Sequence, residues 1–163
     1  MNWSPDFAWP LGIAAAVAIV VAIAGAVLTE TGPWYDALKK PSWKPPDWAF
    51  GPVWTTIFVL AVIATALAWQ AAAGTGARPL IFWALAINAV LNIAWSGIFF
   101  KMRRPDWALR EVVLLWFSIL SLILVLGSAS FTAGLLLLPY LLWVSTAAFL
   151  NLRIVQLNGP FGQ

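Results

Sequence analysis

The chain has 163 residues, with no cysteine, no histidine and only two methionines, Met1 and Met102. Lack of cysteine excludes a disulfide frame and thiolate chemistry. Lack of both Cys and His removes the usual ligands of structural zinc and the usual general base. Charge is scarce as well: 9% of residues, where a soluble domain carries about 25%. The net charge of +3 comes from nine Lys and Arg against six Asp and Glu. So small an excess gives no reason to expect nucleic acid as a partner.

What the chain has is apolar length. It is 63% hydrophobic, and residues 10–29, 49–73, 80–100, 112–127 and 128–152 carry no charge. A bilayer core needs roughly 20 apolar residues per helix. A β-barrel strand would alternate apolar and polar residues, and these runs do not. The first run is expected to be a true span and not a signal peptide, because no basic residue precedes Lys39 and such a peptide needs a positive start. The sequence predicts an all-α membrane bundle of five helices, at about 8–30, 48–71, 80–101, 106–127 and 131–154. It forms one domain over 1–163, with a long first loop acting as a lid. The other three connections are short, so neighbouring spans run antiparallel.

Lys39, Lys40, Lys44, Lys101, Arg103, Arg104, Arg110 and Arg153 fall at one end of this bundle, and Arg78 alone at the other. The bias of basic residues towards the cytoplasm predicts a cytoplasmic C-terminus and first loop in a bacterial-type membrane, with the N-terminus outside. Glu30, Asp106 and Glu111 are all placed near the cytoplasmic surface, leaving no charge at any span centre. That pattern is unlike an ion-coupled transporter, which needs an intramembrane ionisable group.

Twelve tryptophans stand out. Trp3, Trp9, Trp69, Trp83 and Trp107 sit at predicted span ends, where indoles suit the headgroup region. Trp54, Trp95, Trp116 and Trp143 lie inside spans, where each N–H needs a partner. In span three, Asn88, Asn92 and Ser96 recur at four-residue spacing and share one face. Asn88 reads equally as interhelical glue or as a ligand contact, and Asn92, beside Trp95, as a cavity residue. In span five Pro139 should bend the helix, and Trp143, Ala147 and Asn151 follow on one stripe. Ala14, Ala18, Ala22 and Ala26 make a small-residue stripe on span one, suited to packing within the bundle or across a dimer.

The first loop runs into span two as "WYDALKKPSWKPPDWAFGPVW", residues 34–54, with four Trp, four Pro and three Lys. Prolines stiffen such a loop, and Trp and Tyr offer flat contact area with few torsions to freeze. The segment suits a lid over an apolar pocket, and equally a tethering loop in the interface.

This stretch, with "NAVLNIAWSGIFF" and "LLPYLLWVSTAAFLN", resembles the translocator protein family, whose bacterial members are called tryptophan-rich sensory proteins. The resemblance runs from Trp34 to Asn151. It implies a five-helix bundle, usually a homodimer, that binds porphyrins such as protoporphyrin IX, sterols, and isoquinoline carboxamide or benzodiazepine drugs. The pocket it implies is walled by Tyr35, Pro45, Phe50, Trp54, Asn92, Trp95, Trp143 and Ala147, with Lys39, Lys40 and Lys44 at its mouth for anionic propionates. Trp54 and Trp143 match the residues linked in the family to light-driven porphyrin breakdown. The implied function is a receptor or sensor for porphyrin-like ligands. A passive carrier of amphiphiles and a light-dependent porphyrin-degrading enzyme are the alternatives. No cofactor or metal is required. Animal members carry a Leu-Tyr-Arg sterol motif late in span five. Here Leu152 and Gln156 stand at its Tyr and Arg positions, so the motif is broken and sterol or lipid binding would need other contacts.

Overall fold

The computed structural model describes residues 5–162, and the regular structure among them is helical throughout. Helix α1 spans Pro5–Leu28, the short α2 Pro33–Ala37, and α3 Asp47–Ala71. Helix α4 spans Arg78–Ser96 and continues through a widened π turn, Gly97–Lys101. Helix α5 spans Pro105–Ala129, α6 Phe131–Leu136 and α7 Leu138–Asn158. Five of the resulting segments are long and apolar enough to cross a membrane: Ala8–Leu28, Asp47–Ala71, Arg78–Lys101, Pro105–Ala129 and Phe131–Asn158. The predicted spans differ from these by a few residues at their ends.

Proline sets several helix starts. Pro33, Pro79, Pro105 and Pro139 each occupy the first turn of their helix, where a missing N–H costs nothing. Pro139 therefore does not bend a continuous span. The fifth span is instead broken at Leu137, and α7 begins anew. The turn between α4 and α5 is tight enough to force Arg103 to a positive φ of 53°.

Helix α1 packs on α3 and α4, α4 on α5, and α5 on α6 and α7, while α3 also touches α6. At the Arg78 end the core is aliphatic and small: Ala64, Ala68, Ala72, Ile81, Leu122, Leu126, Ala133 and Leu137. Gly134 of α6 lies against α5 so closely that a Cβ there would stand 3.0 Å from the Gly127 Cα and 3.1 Å from the Ile123 carbonyl oxygen. Trp69 lies at this packed end, two residues before the end of its span. It is partly buried against the cluster, with the Arg78 guanidinium 5.3 Å from its ring centre and the Arg78 Nε donating to its carbonyl at 3.2 Å. Arg78, at the start of α4, thus reaches back to the last turn of α3. Trp9, Trp83 and Trp107 are exposed, and Trp3 lies outside the described residues.

The other end gathers the charged loops. Lys101 pairs with Glu30 and Arg104 with Asp106 at 2.5 Å. The Lys101 ammonium holds the Glu30 carboxyl below its ordinary range. Asn158, at the end of α7, holds the first loop by its backbone: Lys39 N donates to Oδ1 and Nδ2 donates to the Lys39 carbonyl, both at 2.8 Å. Loop one and the C-terminal end of α7 thus share one end of the bundle. Asn151 is fully buried and inserts into the first turn of α5, its amide donating to the Pro105 carbonyl and accepting from the Leu109 N–H, both at 3.0 Å. It therefore does not extend the Trp143 stripe. At about 100° per residue, eight residues turn the face by roughly 80°, and Asn151 meets α5 instead.

Candidate functional site

Between α1, α3, α4, α5 and α7 lies a cavity of about 560 Å³, within the usual range of roughly 300–1,000 Å³ for small-molecule sites. Helix α2 covers its charged-loop end with Tyr35. Helix α3 contributes Phe50, Trp54 and Phe58, α4 contributes Asn92, Trp95, Ser96 and Phe100, and α7 contributes Trp143, Val144 and Ala147. These positions recur at three- and four-residue steps because a helix returns to one face at that spacing. The small residues Ala22, Gly25 and Ala26 form the α1 wall. The alanine stripe thus faces inward at this end.

The walls are aromatic and braced against one another. Phe50 meets Trp143 edge to face at 5.3 Å, Trp54 stacks on Phe58 at 5.5 Å, and Trp95 lies 5.2 Å from Phe99. Offset and edge-to-face pairs of this kind add about 0.5–1.5 kcal/mol beyond area burial. Rings held by such pairs present flat faces without further ordering.

The lid is braced as well. Tyr35 is buried and packs on Phe99 and Phe100 at 6.5 and 5.6 Å. Lys40 Nζ stands 4.2 Å from the Tyr35 ring centre and bonds the Tyr35 and Leu38 carbonyls. Burial first, and then Asp47 and Asp36, push the Tyr35 hydroxyl up to about 12, so it stays neutral. Trp43 stacks on Phe149 of α7 at 5.1 Å, a second fastening beside Asn158.

Of the eight residues that the resemblance places in the pocket, seven line this cavity: Tyr35, Phe50, Trp54, Asn92, Trp95, Trp143 and Ala147. Pro45 does not. It precedes the extended cap residue Pro46 of α3, and the lining on this side begins at Asp47. Lys44 pairs with Asp47, and Lys40 is committed to loop carbonyls. Lys39 is exposed and is gripped only through its backbone. Trp116 faces α7 instead, its indole donating to Ser145 Oγ at 2.9 Å. Asn88 is glue: its Nδ2 donates to Ser118 Oγ at 2.9 Å, and it is not in the lining.

Two features escaped the sequence. Glu111 does not sit at an aqueous surface. It lies in the second turn of α5, 7% exposed, with both carboxyl oxygens sealed and without a hydrogen-bond partner. Its spacing from Ala108, Val112 and Leu115 was the available signal, since all four share one buried face. The indole N–H groups of Trp95 and Trp143 are likewise sealed without a partner. Unpaired buried donors are uncommon in native proteins, and here both belong to cavity-lining residues. Tyr140 is the other omission. It sits behind Trp54 at 5.9 Å and bonds Asn92 and Asn88.

Chemically the site offers flat apolar walls and few polar atoms. Among the described residues no group of three or more His, Cys, Asp or Glu could hold a metal ion. Of the side chains that commonly ligate haem iron, the cavity lining contains only Tyr35.

The TspO/MBR family model matches residues 13–157. A tryptophan-rich protein TspO of Chlorobaculum tepidum is 41% identical over 157 residues, covering 91% of this chain and 95% of that protein. Protein CrtK of Rhodobacter capsulatus is 36% identical, covering 87% of this chain and 89% of its own. The translocator protein of Ovis aries is 33% identical, covering 77% of this chain and 75% of its own. With five membrane-length helices and a match over most of its length, this chain is an integral multi-pass membrane protein and belongs to the TspO/MBR family.

Proposed function

We propose that the protein is a membrane receptor or sensor that holds a porphyrin or a related flat apolar ligand in the cavity under loop one. The observation that carries this reading is the 560 Å³ cavity walled by Trp54, Trp95 and Trp143 and covered by Tyr35. A planar tetrapyrrole stacks on such rings. A relative from Cereibacter sphaeroides named tryptophan-rich sensory protein supports the sensor role. The eight-to-one distribution of Lys and Arg supports an orientation with loop one and the C-terminus in the cytoplasm. Ser42→Cys in this cysteine-free chain should then be labelled by an impermeant maleimide only from the cytoplasmic side.

A shallower groove of about 400 Å³ on the outside, between Pro52, Val53 and Thr56 of α3 and Pro139, Leu142 and Thr146 of α7, shares Trp143 with the cavity. This favours, as a second reading, a passive carrier whose ligand passes sideways at Trp143. The test is a protoporphyrin IX titration in nanodiscs, read by quenching of tryptophan fluorescence, beside porphyrin flux in proteoliposomes. Saturable binding without flux supports the receptor, and flux above empty vesicles supports the carrier. Absence of saturable binding would overturn both.

A further inference from the structure

Arg110 stands in the second turn of α5, about 8 Å along the helix from Pro105 at 1.5 Å per residue. It is exposed, and among the described residues it makes no ion pair. Its sequence neighbour Glu111 cannot serve. Residues i and i+1 of a helix do not face each other, and the Glu111 carboxyl is sealed inside the bundle. Glu30, Asp47 and Asp106 are each taken by another cation.

Trp107, Arg110, Leu114 and Phe117 recur at three- and four-residue steps and so share one face of α5. Leu114 and Phe117 are 59% and 57% exposed, on a segment long and apolar enough to cross a membrane. In an integral membrane protein such a face meets lipid. A bare guanidinium among acyl chains is costly, so it must reach an anion. The backbone sets the direction of that reach. The Cα–Cβ bonds of a helix tilt towards its N-terminus, and α5 starts at the charged-loop end. Arg110 therefore extends back towards Trp107 and the headgroup layer, with its stem on the apolar face. Trp107 is half-exposed, and the Arg104 guanidinium holds its ring at 4.6 Å. Arg104 is itself fixed by Asp106 through bonds of 2.8 and 2.5 Å. Asp106 thereby cancels the charge of Arg104, and Arg110 supplies the net positive charge of this face.

We propose that Arg110 and Trp107 form a binding site for the phosphate of a phospholipid in the leaflet at the charged-loop end, with an acyl chain along Leu114 and Phe117. The site prefers lipids of net negative charge, such as phosphatidylglycerol. A zwitterionic lipid brings its own cation to the phosphate, whereas a net anionic one leaves the phosphate to the guanidinium, and the indole N–H is a second donor. A second copy of the chain suits this face poorly. A two-fold interface sets the same patch against itself, so Arg110 would oppose Arg110.

The test is native mass spectrometry of the full chain released from micelles holding equal phosphatidylglycerol and phosphatidylcholine with matched acyl chains. The wild-type protein should retain phosphatidylglycerol over phosphatidylcholine by about fivefold, the contribution of one basic side chain at a lipid surface. Arg110→Gln should bring that ratio below about twofold. Trp107→Phe should lower retention of both lipids and leave their ratio, because the lost N–H serves a phosphate that both carry. Arg153→Gln removes an exposed cation of α7 at the same end and should change neither. An equal fall of the ratio in Arg153→Gln would mean that the charged end attracts anionic lipid without a site, and would overturn the proposal. Equal retention of the two lipids by the wild type, or unchanged retention in Trp107→Phe, would overturn it too. Displacement of the lipid by an equal concentration of soluble glycerol phosphate would put a free phosphate in its place. Leu114→Cys in this cysteine-free chain is the last arm: oxidative crosslinking between copies would make the occupant a second chain, and a monomeric product supports the lipid.

Discussion

The two ends of this bundle solve opposite problems with the same five helices. At the Arg78 end, alanines and leucines from α3, α5 and α6 close the core, and two glycines bring backbones into contact. At the charged-loop end the wall residues are large rings, and they stand apart around about 560 Å³. Small residues permit close helix approach in a membrane, whereas rings braced edge to face hold helices off one another. Residue size, more than hydrophobicity, divides the molecule into a clamp and a container.

The sharpest way to break this comparison is to make one substitution at both ends. Gly134→Ala drives a methyl into backbone atoms that cannot move aside and should cost about 1–3 kcal/mol, lowering the midpoint of thermal unfolding by several degrees. Gly51→Ala, at the cavity, meets nothing within 4 Å and should change stability by no more than about 1 kcal/mol, in the stabilising direction. Equal losses from the two would erase the distinction between clamp and container.

Next in size is the loss of a wall. Trp143→Phe or Trp54→Phe should weaken protoporphyrin IX by roughly three- to thirtyfold, with the protein still folded. Any light-driven loss of porphyrin absorbance should fall further, because that chemistry needs the indole. Trp83→Phe, on the exposed outer face of α4, should leave both unchanged in the same fluorescence titration.

A smaller effect concerns iron. The only lining residue able to ligate haem is Tyr35, and burial keeps its hydroxyl protonated. Haem and metal-free protoporphyrin should therefore bind within about tenfold of each other, a difference below about 1.4 kcal/mol. A thousandfold preference for haem in a competition titration would show iron ligation in the container.

The smallest effect is a pH dependence confined to the lid. Tyr35 has a raised value of about 12 against an ordinary 10.0. Between these the folded state holds a proton that the unfolded state gives up, so stability contributed by the neutral lid falls as pH rises from 10 to 12. Difference absorbance of phenolate between wild type and Tyr35→Phe should show this late ionisation. Ionisation at the ordinary value would mean that the lid is open to water.

The five spans were legible because apolar length alone demands them. Much of the cavity was legible too, because Asn92 with Ser96 and Trp143 with Ala147 repeat at helical spacing and the aromatic loop is distinctive. What the sequence hid depends on meetings between distant helices. That Tyr140 would reach Asn92, that Asn151 would enter the first turn of α5, and that Glu111 would face inward are outcomes of packing angles. The break before Pro139 was hidden for a related reason: the same proline can kink a helix or start one, and Leu137 decided between them.

The grip of Asn158 on Lys39 has a consequence for how this sequence tolerates change. The bonds run to the peptide N–H and C=O of residue 39, and its side chain takes no part. Position 39 can drift among residue types, proline excepted, without loosening the strap over the cavity. Position 158 has no such freedom, because only a side chain that both donates and accepts can hold a peptide group at two points. The heritable instruction for holding the lid thus lies 119 residues away from the segment it holds.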